Sequence, residues 1–195
     1  MRRVGVLALQ GDFAAHGEAL RREGCEPVWV RRASDLDGLC GIVLPGGEST
    51  TMLKFLAQEN FAGRLRAFVD ARPTLATCAG TILLAKRVRA PEQASLGVLD
   101  VTAVRNAYGR HRESSIRTAA VTPEFQSELG VSAMETVLIR APQLEDLGPE
   151  VAVVAREREQ PVLVRQRNLL AATFHPELSA TSPVHRWFAH LLQSA

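Results

Sequence analysis

One cysteine of the sequence lies in a pattern that suits nucleophilic catalysis. The run Ala76-Thr77-Cys78-Ala79-Gly80 follows a short apolar stretch and precedes a helix-like one. Small residues on both sides of a nucleophile allow the sharp turn of a G-x-[SC]-x-G elbow, in which Ala76 here replaces the first glycine. The positive end of the following helix would favour the reactive thiolate, and the backbone N–H of Ala79 would be placed to bind an oxyanion. A buried structural cysteine in a parallel strand fits the same residues.

A histidine and a glutamate further along the chain could serve this thiol as base and orienting group. The run from Phe174 to Glu177 ends an apolar stretch that is typical of a strand. A thiol nucleophile needs a base, and the base needs a group that fixes its tautomer. Glu177 could fix the tautomer of His175, because it follows two residues later. For the histidines on predicted helices we expect ordinary surface or half-buried positions: His16, His185 and His190.

Two further segments place polar groups where parallel strands are expected to end. Leu44 to Thr50 carries Gly46 and Gly47 between a predicted strand and a predicted helix, so backbone N–H groups are exposed in a tight loop. The lysine of a phosphate-binding P-loop is absent, and an oxyanion or carboxylate cradle fits better. Gln10 ends the first predicted strand, at the edge where parallel sheets bind ligands. Its amide could donate to an oxyanion, orient the peptide that does so, or merely cap the strand.

Alternating strands and helices predict the scaffold that positions these groups. Apolar runs in the first half predict strands at Val4 to Leu9, Pro27 to Val30, Gly41 to Leu44 and Thr74 to Thr77. The predicted helices are Phe13 to Glu23 (capped by Asp12 and ended by Gly24), Ser49 or Thr50 to Ala57, Phe61 to Ala71, and Thr81 to Arg87. Later strands are predicted at Val98 to Val104, Ser115 to Val121, Thr136 to Arg140, Val151 to Arg156, Val162 to Arg167 and Leu169 to Phe174, before a closing helix at Pro183 to Gln193. This order predicts an α/β fold: a three-layer, flavodoxin-like, mostly parallel sheet with helices on both faces and an antiparallel extension.

Size and composition predict one compact domain spanning residues 1–195. The 195 residues are 46% apolar and 23% charged, close to the globular average, which excludes disorder, collagen and coiled coil. A net charge of +2 is too small to indicate binding to nucleic acid or to an anionic membrane surface. Three widely spaced cysteines without C-x-x-C form neither a disulfide framework nor a zinc site. The first apolar run is too short for a signal peptide or a membrane span, so we expect a cytoplasmic protein.

Together these motifs resemble the class I (triad-type) glutamine amidotransferases, and most closely the glutaminase subunits of the two-component pyridoxal 5′-phosphate synthase. The similarity runs from end to end of the chain. It is carried by the segments Gly5 to Gly11, Leu44 to Thr50, Thr77 to Gly80, Arg105 to Arg110, Ile139 to Pro142 and Phe174 to Leu178. The cysteine elbow and the last segment are shared by many amidotransferases, whereas the N-terminal Gln-Gly, the glycine loop and the segment after Arg105 are more specific.

The resemblance implies a role for each candidate residue and no metal or cofactor. Cys78 would attack the side-chain amide of L-glutamine, and His175, oriented by Glu177, would act as general base and acid. Glutamine contacts are implied for Gly46, Gly47, Glu48, Arg105, Ile139 and Arg140. Oxyanion binding or gating is expected of Gln10, Gly47 and Ala79.

The resemblance also implies a partner. The ammonia released would pass to the barrel-shaped synthase subunit, which uses ribose 5-phosphate and glyceraldehyde 3-phosphate and forms the core of a large mixed complex. Two other readings of the same scaffold stay open at this point. One is a stand-alone cysteine hydrolase or peptidase, and the other is a thiol sensor in which Cys78 is oxidised and not acylated. Cys25 and Cys40 are not followed by a strand-to-helix corner, so both are expected to be structural.

Overall fold

The computed structural model describes residues 1–58, 60–105 and 115–193. The strands in these ranges are β1 (Arg2–Leu7), β2 (Cys25–Val30), β3 (Gly41–Leu44), β4 (Thr74–Thr77), β5 (Ala85–Arg89), β6 (Leu99–Val104), β7 (Ser115–Val121), β8 (Ala133–Leu138), β9 (Gln143–Glu145), β10 (Ala152–Glu157), β11 (Gln160–Gln166) and β12 (Leu169–Ala172). The α-helices are α1 (Phe13–Arg22), α2 (Ser49–Leu56), α3 (Phe61–Ala71), α4 (Ala79–Leu84), α5 (Pro123–Leu129) and α6 (Val184–Leu191). Short 3₁₀ helices cover Ala33–Leu36 and Pro176–Leu178.

Nine of these strands form one sheet, in the order β2-β1-β3-β4-β12-β11-β10-β7-β8. The strands from β2 to β12 run parallel to their neighbours. Beyond β12 every pairing is antiparallel. Strands β5, β6 and β9 form a second, smaller sheet. The predicted α/β fold, a parallel sheet with an antiparallel extension, is therefore confirmed.

Helices cover both faces of the parallel strands. β3, β4 and β12 are buried at every residue, as expected for strands between two helical layers. Successive side chains of a strand point to opposite faces. Accordingly, Val4 and Val6 of β1 join the core cluster beneath α1, α5 and α6, whereas Leu7 joins the cluster beneath α2, α3 and α4. The strands that lead to the candidate residues are thus packed between helices on both faces of the sheet.

One predicted helix is wrong over its last three residues. Within the segment Thr81 to Arg87, residues 85–87 belong to β5. The carbonyl of Leu83 accepts from the N–H of Leu96 at 2.8 Å. The carbonyl of Leu84 accepts from the N–H of Val98 at 3.0 Å. A neighbouring segment therefore uses the carbonyls that would have continued the helix.

Helix α5 and strand β9 were not predicted at all. Helix α5 nevertheless carries two standard boundary signals, Pro123 in its first turn and Gly130 with φ 73° just after its last residue. The strand predicted at Thr136 to Arg140 is displaced, because β8 ends at Leu138. Ile139 and Arg140 consequently lie in the loop that follows the strand.

The carboxyl ends of four adjacent parallel strands meet at one edge of the large sheet. Strands β1, β3, β4 and β12 lie side by side. The segments that follow them carry Gln10, Gly46, Cys78 and His175, respectively. Since parallel strands point in one direction, the fold brings these four residues to the same edge, where open α/β sheets bind ligands.

Candidate active site

Cys78 occupies a strained turn between β4 and α4. Its backbone has φ 44° and ψ −105°, a conformation that non-glycine residues rarely adopt. The N–H of Cys78 donates to the carbonyl of Ala172 at 2.9 Å, and the hydroxyl of Thr81 donates to the same carbonyl at 2.6 Å. A Cβ at Gly80 would overlap the carbonyl oxygen of Leu44. Close packing against the backbone of β3 therefore requires glycine at position 80, two residues after the cysteine.

Alanine at the first position of the elbow is accommodated by the sheet. Ala76 is fully buried and pairs with Leu44 of β3 and Ala171 of β12. Its methyl group lies in the core cluster beneath α2, α3 and α4. The departure from the usual glycine leaves the turn at Cys78 intact.

His175 is held between the nucleophile and a buried carboxylate. Its Nδ1 lies 2.7 Å from Oε1 of Glu177, which the short 3₁₀ helix turns back towards the ring. Its backbone N–H donates to the carbonyl of Val137 at 2.9 Å. A Cβ at Gly46 would overlap Cε1 of the ring and lie 3.3 Å from Cβ of Cys78. The glycine therefore makes room for the imidazole beside the thiol.

Opposing electrostatic effects act on this pair. Burial lowers the pKa of His175, but hydrogen bonds with Cys78 and Glu177 outweigh it and raise that pKa to about 10. Burial likewise works to raise the pKa of Glu177, but its contacts with His16 and His175 hold that pKa well below its ordinary value. Glu177 is therefore a carboxylate at neutral pH and stabilises positive charge on the ring of His175.

Two histidines expected at the surface are buried behind this carboxylate. His16 is fully buried, and His185 is 4% exposed, so the prediction of surface or half-buried positions is wrong for both. Nε2 of His16 lies 3.2 Å from Oε2 of Glu177 and 3.2 Å from Oγ1 of Thr77. Its Nδ1 lies 2.9 Å from Nε2 of His185. The local sequence carries no signal for these contacts, which arise only when α1 and α6 pack together.

A cavity of about 210 Å³ opens at the thiol. It is smaller than the 300–1,000 Å³ of drug-sized sites, so it suits a small metabolite. Its walls are formed by Gln10, Gly47, Glu48, Ser49, Cys78, Ala79, Ile82, Arg105, Ile139, Arg140 and His175. Two predicted site residues do not form its walls. Gly46 packs against the ring of His175, and Glu177 contacts Nδ1 of the same ring.

Glu48 forms the acidic part of the cavity wall. It caps α2 by accepting from the N–H of Thr50 at 3.3 Å, so the cap is Glu48 rather than Ser49 or Thr50. It also accepts from the Thr50 hydroxyl at 2.9 Å and lies 3.5 Å from the guanidinium of Arg105. The Thr50 hydroxyl chiefly, together with Arg105 and Arg140, lowers the pKa of Glu48. A carboxylate thus faces two guanidinium groups across the cavity.

The loop after β8 forms the opposite wall. The carbonyl oxygen of Ile139 lies 3.8 Å from Sγ of Cys78 and accepts from the thiol. Arg140 has φ 45°, which turns the chain away from the direction of β8. Arg105 is the last described residue before a gap in the description. The rest of the segment Arg105 to Arg110 therefore lies outside the described residues.

Gln10 binds the backbone of the glycine loop. Its side-chain oxygen accepts a hydrogen bond from the N–H of Glu48. A Cβ at Gly11 would overlap the carbonyl oxygen of Gly46, and a Cβ at Gly47 would lie 2.6 Å from the Gln10 side-chain oxygen. The first and third strand ends are thus in direct contact, and side chains at either glycine would separate them.

The other two cysteines have structural surroundings. Cys25 is buried at the start of β2, and burial raises the pKa of its thiol. The Cys40 thiol donates to the carbonyl of Arg3 at 3.1 Å, and burial raises its pKa as well. Raised thiol pKa values disfavour the nucleophilic thiolate.

Comparison with solved structures defines the class of this fold. A structure described as a crystal structure of glutamine amidotransferase matches with a TM-score of 0.88 and 44% identity, covering 97% of this chain and 98% of that one. The fold is that of a class I glutamine amidotransferase. Residues 6–194 match the SNO glutamine amidotransferase family, and the chain belongs to that family.

Curated relatives extend over nearly the whole chain. The pyridoxal 5′-phosphate synthase subunit PdxT of Koribacter versatilis (strain Ellin345) is 47% identical over 98% of this chain and 96% of its own length. The subunit PdxT of Solibacter usitatus (strain Ellin6076) is 46% identical over 96% of this chain and 98% of its own length. The family resemblance predicted from the motifs is therefore confirmed.

The described residues contain neither a membrane-spanning helix nor a metal-binding cluster. No described helix combines the length and apolar character needed to cross a bilayer. Within the same ranges, no three His, Cys, Asp or Glu side chains are grouped so that they could hold a metal ion.

Proposed function

We propose that this chain hydrolyses L-glutamine to L-glutamate and ammonia through a thioester on Cys78. In this proposal it supplies the ammonia to the synthase subunit of a pyridoxal 5′-phosphate synthase. Residues 1–195 act as one amidotransferase domain, working in the cytoplasm. The observation that carries the proposal is the alignment of Cys78, His175 and Glu177 at a small cavity lined by charged groups of both signs.

Acylation begins with transfer of the Cys78 thiol proton to the neighbouring ring of His175. A ring with a pKa near 10 readily accepts the thiol proton, and Glu177 stabilises the imidazolium that forms. The Cys78 sulfur then bonds to the carboxamide carbon of glutamine. As the C–N bond breaks, His175 returns the proton to the leaving nitrogen, and ammonia departs. His175 next takes a proton from water, whose hydroxyl displaces the sulfur and releases glutamate.

The α-carboxylate and α-ammonium groups of glutamine match the charges of the cavity wall. In the free protein Glu48 and Arg105 face one another at 3.5 Å. Glutamine would exchange this contact for two of its own, with its ammonium on Glu48 and its carboxylate on Arg105 and Arg140. A guanidinium suits a carboxylate because it donates two parallel hydrogen bonds. The carbonyl of Ile139 and the backbone of Gly47 complete the contacts.

The oxyanion would be bound by backbone N–H groups of Ala79 and Gly47. Gln10 controls the second of these donors, because its side chain holds the next N–H along the loop, that of Glu48. This contact supports orienting of the loop peptide as the role of Gln10. Docking of the synthase subunit at this edge would then align the loop and switch the glutaminase on. Coupling of this kind prevents wasteful hydrolysis of glutamine when no acceptor is present.

Delivery to a partner follows from the chemistry of the product. Ammonia in neutral water is mostly protonated and is then not a nucleophile, so a biosynthetic glutaminase needs a protected path to its acceptor. The curated relatives are named as subunits of pyridoxal 5′-phosphate synthase, which supports the synthase subunit as that acceptor.

The proposal is tested by measuring glutamate release with and without the synthase subunit. We expect slow release alone and a strong increase with the partner. A glutamine-mimicking electrophile should label Cys78 and block both rates. Hydrolysis of other amides at the same rate without any partner would indicate a stand-alone hydrolase instead. A chain that oxidises at Cys78 but neither releases glutamate nor reacts with the electrophile would indicate a thiol sensor.

A further inference from the structure

A series of buried polar side chains continues from His175 into the space between α1 and α6. Oε1 of Glu177 lies 2.7 Å from His175, and Oε2 of the same carboxylate lies 3.2 Å from Nε2 of His16. Nδ1 of His16 in turn lies 2.9 Å from Nε2 of His185. The side chains of His16 and Glu177 have no exposed surface. Two helices thus reach the site through side chains that do not line its cavity.

The two oxygens of Glu177 differ in their partners. Oε1 bonds to His175, whereas Oε2 is buried and makes no aligned hydrogen bond within the described residues. The imidazole of His16 is therefore the electrostatic partner of Oε2. Without it, a buried carboxylate oxygen would be unpaired, which favours rotation of the group or uptake of a proton. Either change would weaken the contact that orients His175.

His16 also touches the strand that carries the nucleophile. Its Nε2 lies 3.2 Å from the hydroxyl of Thr77, the residue immediately before Cys78. One ring nitrogen thus contacts the group that orients the base and the residue beside the nucleophile. We propose that His16 is a positioning residue that holds Glu177 and Thr77 together, so that the His175 ring stays aimed at Cys78. This inference rests on the proposed glutaminase function.

His185 contacts the second ring nitrogen of His16, the one that does not face Glu177. Burial, assisted by the nearby His16, lowers the pKa of His185 to about 3, so its ring is neutral at pH 7. Nε2 of His185 lies 2.9 Å from Nδ1 of His16, so a neutral His185 that carries its proton on Nε2 donates to Nδ1. In that arrangement His16 carries its own proton on Nε2, which lies 3.2 Å from both the Thr77 hydroxyl and Oε2 of Glu177. A hydrogen bond at one ring nitrogen commonly sets the tautomer of a site histidine in this way.

Three substitutions of His16 separate positioning from packing. His16→Gln keeps an N–H donor near the position of Nε2, His16→Asn keeps polarity only near Nδ1, and His16→Leu keeps only volume. With the synthase subunit present, we expect kcat to fall about 10- to 100-fold in the Asn and Leu variants, as when an outer-shell group is lost from other sites. KM for glutamine should stay unchanged, and the Gln variant should recover most of the lost kcat.

A spectroscopic readout complements the kinetics. The proton in the short contact between His175 and Glu177 should give a downfield proton resonance in the wild type. We expect this resonance to shift or broaden in His16→Asn and His16→Leu, and to persist in His16→Gln. An unmoved resonance together with wild-type kcat in His16→Asn would overturn the inference.

Leu20→Ala and His190→Gln are the matched controls. Leu20 lies on the same helix and is fully buried in the apolar core, so its truncation should lower Tm at least as much as His16→Leu while kcat is retained. His190 is exposed on α6, so His190→Gln should change neither kcat nor the downfield proton resonance.

Each remaining outcome has a defined meaning. Equal kcat losses in Leu20→Ala and His16→Leu would show that general destabilisation is the cause and would overturn the inference. If His16→Leu does not fold, the difference between the Gln and Asn variants still decides. Absence of glutaminase activity in the wild type with its partner would instead overturn the proposed function itself.

Discussion

The two sides of the cavity are built from different kinds of structure. On one side, Gln10, Gly47, Cys78 and His175 follow adjacent parallel strands at the centre of the large sheet. On the other side, Arg105 follows a strand of the small sheet, and the loop after β8 follows the last strand of the antiparallel extension. The groups proposed to make and break bonds follow central strands, and the two arginines proposed to bind the substrate carboxylate stand at the periphery.

The extension nevertheless reaches back to the chemistry. The N–H of His175 donates to the carbonyl of Val137, although β8 and β12 are separated by three strands in the sheet order. The far strand therefore curls towards β12, and the loop that follows it forms part of the cavity wall. Substitutions on the central side should mainly lower kcat, whereas substitutions on the peripheral side should mainly raise KM.

The largest effect should come from the nucleophile. Cys78→Ala removes the sulfur that forms the thioester and should abolish glutamate release, while Tm stays close to that of the wild type. Cys25→Ser and Cys40→Ser are the matched controls, since both thiols lie outside the cavity, and they should retain kcat with some loss of stability. Measurable burst-phase release by Cys78→Ala would contradict the assignment.

The next largest effect should come from the buried carboxylate. Glu177→Gln can present its amide N–H to His175 and hold the wrong tautomer, so kcat should fall roughly 10³- to 10⁴-fold, as for the equivalent change in other triads. The kcat of His175→Ala should fall to the background rate, because this variant lacks both the proton acceptor and the proton donor. Glu157→Gln is the control: it also removes a buried carboxylate, one paired with Arg117 in the antiparallel extension. Equal kcat losses at positions 157 and 177 would remove the distinction between the two regions.

Gln10 should affect stimulation rather than folding. In Gln10→Ala the N–H of Glu48 loses its side-chain acceptor, so the loop is no longer held for oxyanion binding. Loss of one oxyanion donor costs roughly 10²- to 10³-fold in rate, and we expect a loss of this size in the rate with the synthase subunit present. Steady-state assays with and without the partner measure it. Full stimulation of Gln10→Ala would leave the strand-capping role as the explanation.

Arg105 tests the peripheral side of the cavity. Arg105→Gln removes a charge-assisted contact worth about 1.5–3 kcal/mol, which corresponds to a rise in KM of roughly 10- to 100-fold with kcat little changed. Arg89→Gln is the matched control, because Arg89 pairs with Glu145 away from the cavity. A fall in kcat with constant KM for Arg105→Gln would indicate that this side also takes part in the chemical steps.

The smallest effect concerns the pH dependence of stability. His185 is held neutral when folded, with its pKa lowered to about 3 from the usual 6.5, so the unfolded chain binds an extra proton between these values. Stability is therefore fully present above pH 6.5 and falls as the pH drops towards 3, by at most about 1.4 kcal/mol per pH unit. Calorimetry should show a flatter fall for His185→Gln. If the curves of Tm against pH were parallel for the wild type and His185→Gln, His185 would not be the source of this pH dependence.

His175 changes the folding stability with pH in the opposite direction. Its pKa is raised to about 10, so the stability it provides is present below pH 6.5 and is lost as the pH rises towards 10. The two contributions can be separated because they act on opposite sides of neutrality.

Short sequence patterns were sufficient to predict the strands and residues on the central side of the cavity. Apolar runs ending in glycine or a small-residue elbow predicted β3 and β4, and parallel pairing then brings Cys78 and the Gly47 loop together. His175 was recognised because a carboxylate follows it at a fixed short spacing. The packing of α1 against α6, which creates the contact between His16 and His185, leaves no mark in either segment alone. The same holds for β5, whose pairing with β6 overrides a helix-compatible sequence.

Strand β12 has a consequence for the order in which the protein is made. It is among the last elements of the chain, yet it lies between β4 and β11 in the middle of the large sheet. Until it has been synthesised, the facing edges of β4 and β11 have no partner strand, and the proposed base His175, which follows β12, is absent as well. We therefore expect no glutamine hydrolysis from a nascent chain that ends before β12, because Cys78 would lack this base. Assembly of the proposed site thus depends on a four-residue strand that is made after every other described strand.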